Sequence, residues 1–517
     1  MHENMQSSSS GSLPAKQLVG NSRKLMNIVG FACNQAFMLS LIYLGQNYAF
    51  EFNNLVFERI DLFVVIACML LGFGFIRSAS SRARKALFSY SIMVGFAILM
   101  TIGSFIRFID PTNALVIIFE SVLVGVSSAC MLACWGAALG SLSLNESIRV
   151  IFASFCLAAI ISLVIDVVAF EGAQIIIYFM PLVSVVMLRP FCTSLQNRTE
   201  SQDQALRPDD DERHEQHANI AHKITFGDIF STKEQRNEVN RLSRKVLVGT
   251  ALYGVAAGFM QTFDSMPQEF ATPYFASTLI LLILFSIAAL QIVPSASEQQ
   301  SNQAQQVSAL YRLSILLMMA GFLFLPVLGS FGVPGEAIVQ AGYLGLVSVM
   351  LSLFMMISNI TNLHPAVMFS RGLFAMYLGV MAGILLGSII ESAALSSELP
   401  YVLAACSGLS ALYAYMFLFT EQDFVSLTTI VDDVRRFDDI CTAIAQKAGL
   451  SKREAELLPL ALRGRTGERI AQELYISKST VETHLRRIYQ KTGVKNRQEL
   501  IDLSERFERG EGELPTS

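Results

Sequence analysis

At 517 residues with 53% hydrophobic and only 15% charged side chains, the chain departs from the roughly 25% charged composition of soluble globular domains. Its mean hydropathy of +0.48 places most of it in lipid. The net charge of −4 averages a slightly acidic loop and a basic end, so it assigns no partner, and the eight scattered cysteines, with no CxxC pair and none after residue 450, exclude a disulfide framework or a zinc site.

The first 24 residues, with serines at 7 to 10 and then Lys16, Arg23 and Lys24, read as a disordered cytoplasmic tail. The apolar run that follows has no small-residue cleavage site, which argues against a signal peptide. About 20 apolar helical residues cross a hydrocarbon core. Runs of that kind fall near 25–45, 60–76, 86–106, 114–139, 149–169 and 173–189, and again near 245–263, 272–293, 309–329, 337–360, 371–390 and 400–420. The expectation is an all-α polytopic membrane protein of about twelve transmembrane helices, six in 25–189 and six in 245–420.

Cytoplasmic loops retain Lys and Arg. The loop after the second span carries Arg77, Arg82, Arg84 and Lys85, and the loop after the sixth is rich in bases from Arg198 to Lys245. The opposite loops hold mainly acids, among them Glu51, Asp110, Glu171 and Glu336, with Arg59 and Arg107 the exceptions. Twelve crossings with this bias put both termini on the cytoplasmic side of the inner membrane. Residues 190–244, with Asp209, Asp210, Asp211 and Glu212 beside His214, His217 and His222, read as a solvated linker and not as a metal site. Residues 294–307 form a shorter one.

Two six-helix halves joined by a long cytoplasmic loop resemble the major facilitator superfamily of transporters. Between the second and third spans, Gly72, Gly74, Arg77, Arg82, Arg84 and Lys85 keep that superfamily's glycines and bases but lack its aspartate. The resemblance implies a substrate site between the halves near the midplane. Polar groups within the spans are the candidates to line it, because charge in hydrocarbon is costly and tends to mark function. They are Glu120, Asp166, Asn34, Gln35, Trp135, Gln261 and Asn359, for each of which a hydrogen bond between packed helices is the competing role. Gly136 and Gly140 are spaced for close helix packing.

Residues 421–450 spell an amphipathic helix. Ile430, Val434, Phe437, Cys441, Ile444 and Ala448 form a narrow apolar seam, and Asp432, Asp433, Arg435, Arg436, Asp438 and Asp439 lie on the other face. The seam suits the domain that follows, the membrane helices or a second copy of itself, and the spacing does not choose among them.

Residues 451–506 read as four short helices, with 507–517 a disordered tail. Ser451 and Glu454 form a capping box, and the helix they open buries Leu457, Leu458 and Ala461 and stops at Gly464. Thr466 caps a second helix carrying Ile470, Ala471 and Leu474. Ser477 caps a third, and Asn496 with Glu499 a fourth. On the third, Val481, Leu485 and Ile488 share one stripe while Glu482, Thr483, Arg486 and Gln490 share the other, the arrangement of a helix that packs inward and offers a polar face to a DNA major groove. Across 477–497, Lys478, Arg486, Arg487, Lys491, Lys495 and Arg497 face the single acid Glu482, a balance suited to phosphate.

Glu454, Glu456, Gly464, Ile470, Ala471, Leu474, Ser477, Thr480, Val481, His484, Ile488, Lys491 and Gly493 together closely resemble the LuxR-type helix-turn-helix domain of bacterial transcription regulators, over about a tenth of the chain. The resemblance implies base-edge contacts from Glu482, Thr483 and Arg486 and backbone contacts around Thr480, Lys491 and Lys495; Arg487, one of the bases on the stretch, completes the candidate DNA-binding set. Glu482 departs from the basic residue common there and either accepts from a cytosine amino group or faces solvent. It also implies dimers on paired half-sites of promoter DNA, formed through 421–450 or the helix-turn-helix domain, with RNA polymerase as a further partner. The reading is a membrane-bound one-component transcription regulator that senses a small-molecule ligand through its transmembrane domain. The alternative is a transporter of the facilitator type with an appended regulatory domain. No catalytic constellation or phosphate-binding glycine loop is visible, so no enzyme activity and no cofactor are expected.

Overall fold

The computed structural model describes residues 12–43, 50–52, 55–57, 59–106, 109–110, 113–167, 173–204, 233–262, 274–293, 303–328, 334–361, 364–393, 399–418, 420–474 and 476–511. Its backbone divides into a membrane unit, built from the helices up to Gln422, and a second unit containing 423–517.

In the membrane unit α1 spans Ser12–Tyr43, and a small hairpin pairs β1 (Phe50–Phe52) with β2 (Leu55–Phe57). Then come α2 (Ile60–Ser78), a short α3 (Ser81–Leu87), α4 (Tyr90–Ile106), α5 (Ala114–Leu139), α6 (Leu144–Val167) and α7 (Ala173–Gln204). The second half contains α8 (Lys233–Met260), α9 (Phe275–Ile292), α10 (Gln303–Leu328), α11 (Gly335–Thr361), α12 (Pro365–Ala393) and α13 (Leu399–Tyr413). Among the described residues nine helices are long and apolar enough to cross a bilayer, and α4 and α13 are shorter apolar helices. Large apolar side chains such as Leu71, Phe75, Leu316 and Leu323 point outward and are more than half exposed, as a lipid-facing surface requires. The chain is therefore a multi-pass membrane protein.

Several boundaries differ from those expected. The segment 12–24, expected as a tail, belongs to α1; α7 continues through Pro181 and Pro190 to Gln204, and α8 begins at Lys233, so both ends of the expected 190–244 linker are helical. Hydropathy reports what lipid accepts, whereas a helix is a run of local backbone hydrogen bonds that polar residues continue equally well. Residues 1–11, 205–232 (with His214, His217 and His222) and 294–302 lie outside the described residues. Arg59, expected in an outer loop, is fully buried in a left-handed backbone conformation (φ 52°). Its Nη2 donates to the Ile42 carbonyl at 2.9 Å and its Nε lies 3.7 Å from Asp61 Oδ1, an arrangement in which the ion pair makes burial of the cation tolerable.

The halves meet where α12 packs against α2 and α5 and where α9 packs against α6. Gly136 and Gly140 serve this contact: a Cβ at the first would strike the Phe369 ring and at the second Pro365, both on α12. A tighter seam joins α8 to α12. Cβ atoms built at Gly254, Gly258, Gly379 and Gly383 would each collide with backbone of the facing helix, so these helices touch main chain to main chain. Replacing Gly258 with valine is expected to cost about 3 kcal/mol or more, since backbone cannot step aside as a side chain can. Gly74→Ala, where an added Cβ meets nothing within 4 Å, is the matched control. Thermal unfolding of the purified full chain in detergent checks both.

The second unit holds α14 (Glu421–Lys447), α15 (Lys452–Leu462), α16 (Gly467–Leu474), α17 (Lys478–Thr492) and α18 (Arg497–Glu508).

Candidate functional site

Helices α15 to α18 each start where the sequence supplies a cap. Ser451 Oγ accepts from Glu454 N–H while the Glu454 carboxylate accepts from Ser451 N–H at 2.7 Å, completing the capping box. Thr466 Oγ1 accepts from Arg469 N–H at 3.3 Å, Ser477 Oγ from Thr480 N–H at 3.1 Å and Asn496 Oδ1 from Glu499 N–H at 2.9 Å. Gly464 and Gly493 take positive φ (75° and 71°), which ends α15 and α17 where a side chain would strain. Leu457, Leu458, Ile470, Val481, Ile488, Leu500 and Leu503 form the core between them.

The C-terminal part of the α14 seam joins this core; the side chains of Ile430 and Val434, nearer its start, lie outside the described residues. Cys441 and Ile444 are buried against the α15–α18 residues, with Phe437 and Ile440 packed alongside. Arg463 stacks its guanidinium over the Phe437 ring at 4.2 Å, Lys447 lies over Phe507 at 5.3 Å and Arg436 Nη1 is 3.7 Å from Glu508 Oε1. Burial pushes the Cys441 thiol up to about 12 and raises the Asp438 carboxyl, which Arg463 partly offsets. Phe507, expected at the start of the tail, packs on the core as part of α18; residues 512–517 lie outside the described residues.

The outward face of α17 presents Glu482, Thr483, Arg486 and Arg487, all exposed, with Lys495 exposed just beyond its end. Thr480 is half-buried, its hydroxyl 2.7 Å from Ser477 Oγ, and Thr483 Oγ1 donates to the Ser479 carbonyl at 2.9 Å. Among the six bases counted along this stretch, the fold commits three. Lys478 pairs with Glu468 at 2.8 Å. Lys491 Nζ donates to Glu454 Oε2 at 2.7 Å and to the Gly449 carbonyl at 3.1 Å. The Arg497 guanidinium donates to the Ala461, Leu460 and Arg465 carbonyls, tying off the end of α15. Arg486, Arg487 and Lys495 make no ion pair among the described residues.

Lys491 thus anchors the fold as well as lying near the expected phosphate path. Burial by itself raises the Glu454 carboxyl, but Lys491 and Ser451 together hold it down at about 2. A carboxyl lowered on folding stabilises the folded state in full above its unfolded value, near 4.5, and loses that contribution as pH falls toward 2. Lys491→Ala is expected to destabilise the unit by about 1–3 kcal/mol, because it strips a buried carboxylate of its cation. It is also expected to flatten the loss of stability between pH 4.5 and 2. Denaturant titrations across that range measure both.

The membrane unit encloses a cavity of about 40 Å³ bounded by α1, α6, α8, α11 and α12. Gln35 and Gln261 line it, as do Tyr43, Tyr343 and Tyr377, which the sequence reading did not single out although tyrosine inside an apolar run is a polar handle in lipid. Tyr43 donates to Gln340 Oε1 at 3.2 Å, and Gln340 in turn to the Ala257 carbonyl. The other candidates lie elsewhere. Trp135 is fully buried in the first half, its indole N–H donating to Ser184 Oγ at 2.9 Å and its ring 5.6 Å from Phe31, which is a packing role. Asn34 and Glu120 are buried on α1 and α5 and Asp166 is half-buried near the end of α6, none of them on the cavity wall. Asn359 lies on α11 with its side chain outside the described residues.

A capped, basic-faced helix-turn-helix in one chain with a bundle of bilayer-length helices defines a class: a multi-pass membrane protein carrying a DNA-binding domain. Residues 448–504 match the family described as bacterial regulatory proteins, luxR family, so the domain is of the LuxR type. Curated relatives include the HTH-type transcriptional regulator MalT of Yersinia pestis (strain Pestoides F), 40% identical over 58 residues, or 11% of this chain and 6% of MalT. The oxygen regulatory protein NreC of Staphylococcus aureus (strain JH9) is 45% identical over 53 residues, 10% of this chain and 24% of NreC. The chain thus spans only a small part of these relatives. Among solved structures, the Major Facilitator Superfamily transporter FucP in its outward conformation aligns at 11% identity and TM-score 0.40 over 76% of this chain and 99% of its own. An outward-facing bacterial homologue of the iron transporter ferroportin aligns at 11% identity and TM-score 0.47 over 79% and 99%.

Proposed function

We propose that the chain is a one-component transcription regulator of the inner membrane. It binds a small molecule in its membrane unit and promoter DNA through α17, with both termini in the cytoplasm, where DNA and RNA polymerase are. The observation that carries this reading is the seating of α14. That helix follows the last membrane helix almost directly, after a π-helical turn at Ala414–Leu418, and its far end is part of the DNA-binding core. In this reading, α14 is the route by which a change at the end of α13 reaches the reading head. A ligand acts by binding one arrangement of the membrane helices better than another, and the shift in output is limited to that difference in affinity. Two copies on paired half-sites fit this scheme, as LuxR-type domains are used in pairs.

Promoter occupancy, measured by crosslinking and immunoprecipitation with the chain in its membrane, tests the reading. Occupancy should fall with Arg486→Ala and change when the cavity is altered by Gln261→Leu. Occupancy indifferent to both substitutions would overturn it. Accumulation of a bound compound inside vesicles, in place of saturable binding alone, would move the protein to the transporter class.

A further inference from the structure

The cavity in the membrane unit has a chemical character of its own. Of the side chains that line it, none is ionisable near neutral pH. The nearest buried cation named above, Arg59, sits behind the wall on the Ile42 carbonyl with Asp61 beside it. Two polar atoms on the wall are left over. Gln261, 2% exposed, has an Oε1 with no hydrogen-bond partner among the described residues, and Tyr343, 6% exposed, has a hydroxyl in the same condition. Buried polar atoms are nearly always paired, so an unpaired acceptor and an unpaired donor on two residues that line one cavity define what would complete it.

We infer that this cavity is the site of a neutral ligand that offers one hydrogen-bond donor to Gln261 and one acceptor to Tyr343 on a compact apolar body, an amide being the simplest such group. This rests on the sensing reading above and specifies its ligand. An ion entering here would shed its hydration without meeting a counter-charge, which selects against carboxylates and ammonium groups. Apart from Gln35, Tyr43 and Tyr377 the remaining wall is apolar, with Met38, Met376 and Val380, and a cavity of about 40 Å³ has room for one or two waters. A larger ligand therefore displaces the methionines, whose unbranched side chains repack readily. Gln261 lies in the turn that directly follows α8, which is locked to α12 by the glycine seam, and Tyr343 on α11. A ligand bonded to both ties α11 to the α8–α12 pair.

The test uses the full chain in detergent micelles and matched amide and carboxylate probes of growing size: acetamide and acetate, butyramide and butyrate, benzamide and benzoate. At least one amide should raise the melting temperature with a saturable dose dependence while its carboxylate does not. Gln261→Leu and Tyr343→Phe should each weaken that amide about tenfold, the loss of one buried hydrogen bond. Without ligand, Tyr343→Phe should melt at or above the wild type, because it removes only an unpaired buried hydroxyl, whereas Gln261→Leu also removes a hydrogen bond to Tyr43. Carboxylates binding as well as amides, no amide binding at all, or a Tyr343→Phe variant that melts well below wild type would overturn the inference. Amide binding as described with promoter occupancy unchanged would uphold the site and sink the sensing reading instead.

Discussion

Arg486→Ala should lower the affinity of the DNA-binding unit for its preferred duplex by about 1–3 kcal/mol and relax its preference at one base pair, while leaving its fold intact. Arg486 is exposed on the outward face of α17, contributes nothing to the core and makes no ion pair among the described residues, so its removal is read in binding alone. Lys495→Ala provides the contrast. It should weaken all sequences about equally and reduce the dependence of log affinity on log salt by about 0.9, the contribution of one phosphate. Because Lys478, Lys491 and Arg497 are committed within the unit, its salt dependence should be shallower than six bases on this stretch would give. Fluorescence anisotropy over a range of salt measures all three quantities. A change in unfolding for Arg486→Ala, or a salt slope reflecting six contacts, would contradict this division of labour.

Ile444→Ala should destabilise the DNA-binding unit by about 2–5 kcal/mol, although Ile444 lies outside the 448–504 family match. The side chain is fully buried among Leu457, Leu458 and their neighbours, and truncation leaves a cavity that α14 cannot close without giving up Cys441 and the Arg463–Phe437 stack. A fragment beginning at 423 should accordingly unfold cooperatively and at higher denaturant than one beginning at 448. Equal midpoints would show that α14 rests on the domain without supporting it, and the mechanical link proposed for signalling would lose its basis.

The caps of α15 to α18 were legible in the sequence because a cap is a local device: Ser451 with Glu454, Ser477 with Thr480 and Asn496 with Glu499 are each three residues apart. So were the apolar stripes of α17 and most of the membrane helices, since periodicity and hydropathy are properties of short windows. The internal partners of Lys491 and Arg497, Glu454 and the carbonyls of Ala461, Leu460 and Arg465, lie 32 to 37 residues away and were not legible in the sequence. A basic residue whose counter-charge is distant in sequence looks uncommitted until the chain is folded. The seating of α14 was open for the same reason: an apolar seam states that it needs a partner, not which one.

In the membrane unit polarity alone picked out Gln35 and Gln261 but grouped them with Trp135, Glu120 and Asp166, which the fold sends elsewhere. By itself the sequence determined where helices cross lipid, where the DNA-reading helix begins and ends and which of its faces turns outward, because each depends on residues a few positions apart. Tertiary structure alone decided which cations are paired within the unit, which helix completes the reading head and which polar groups share one cavity. Those outcomes depend on side chains brought together from distant parts of the chain, and no short window of sequence holds both members of such a pair.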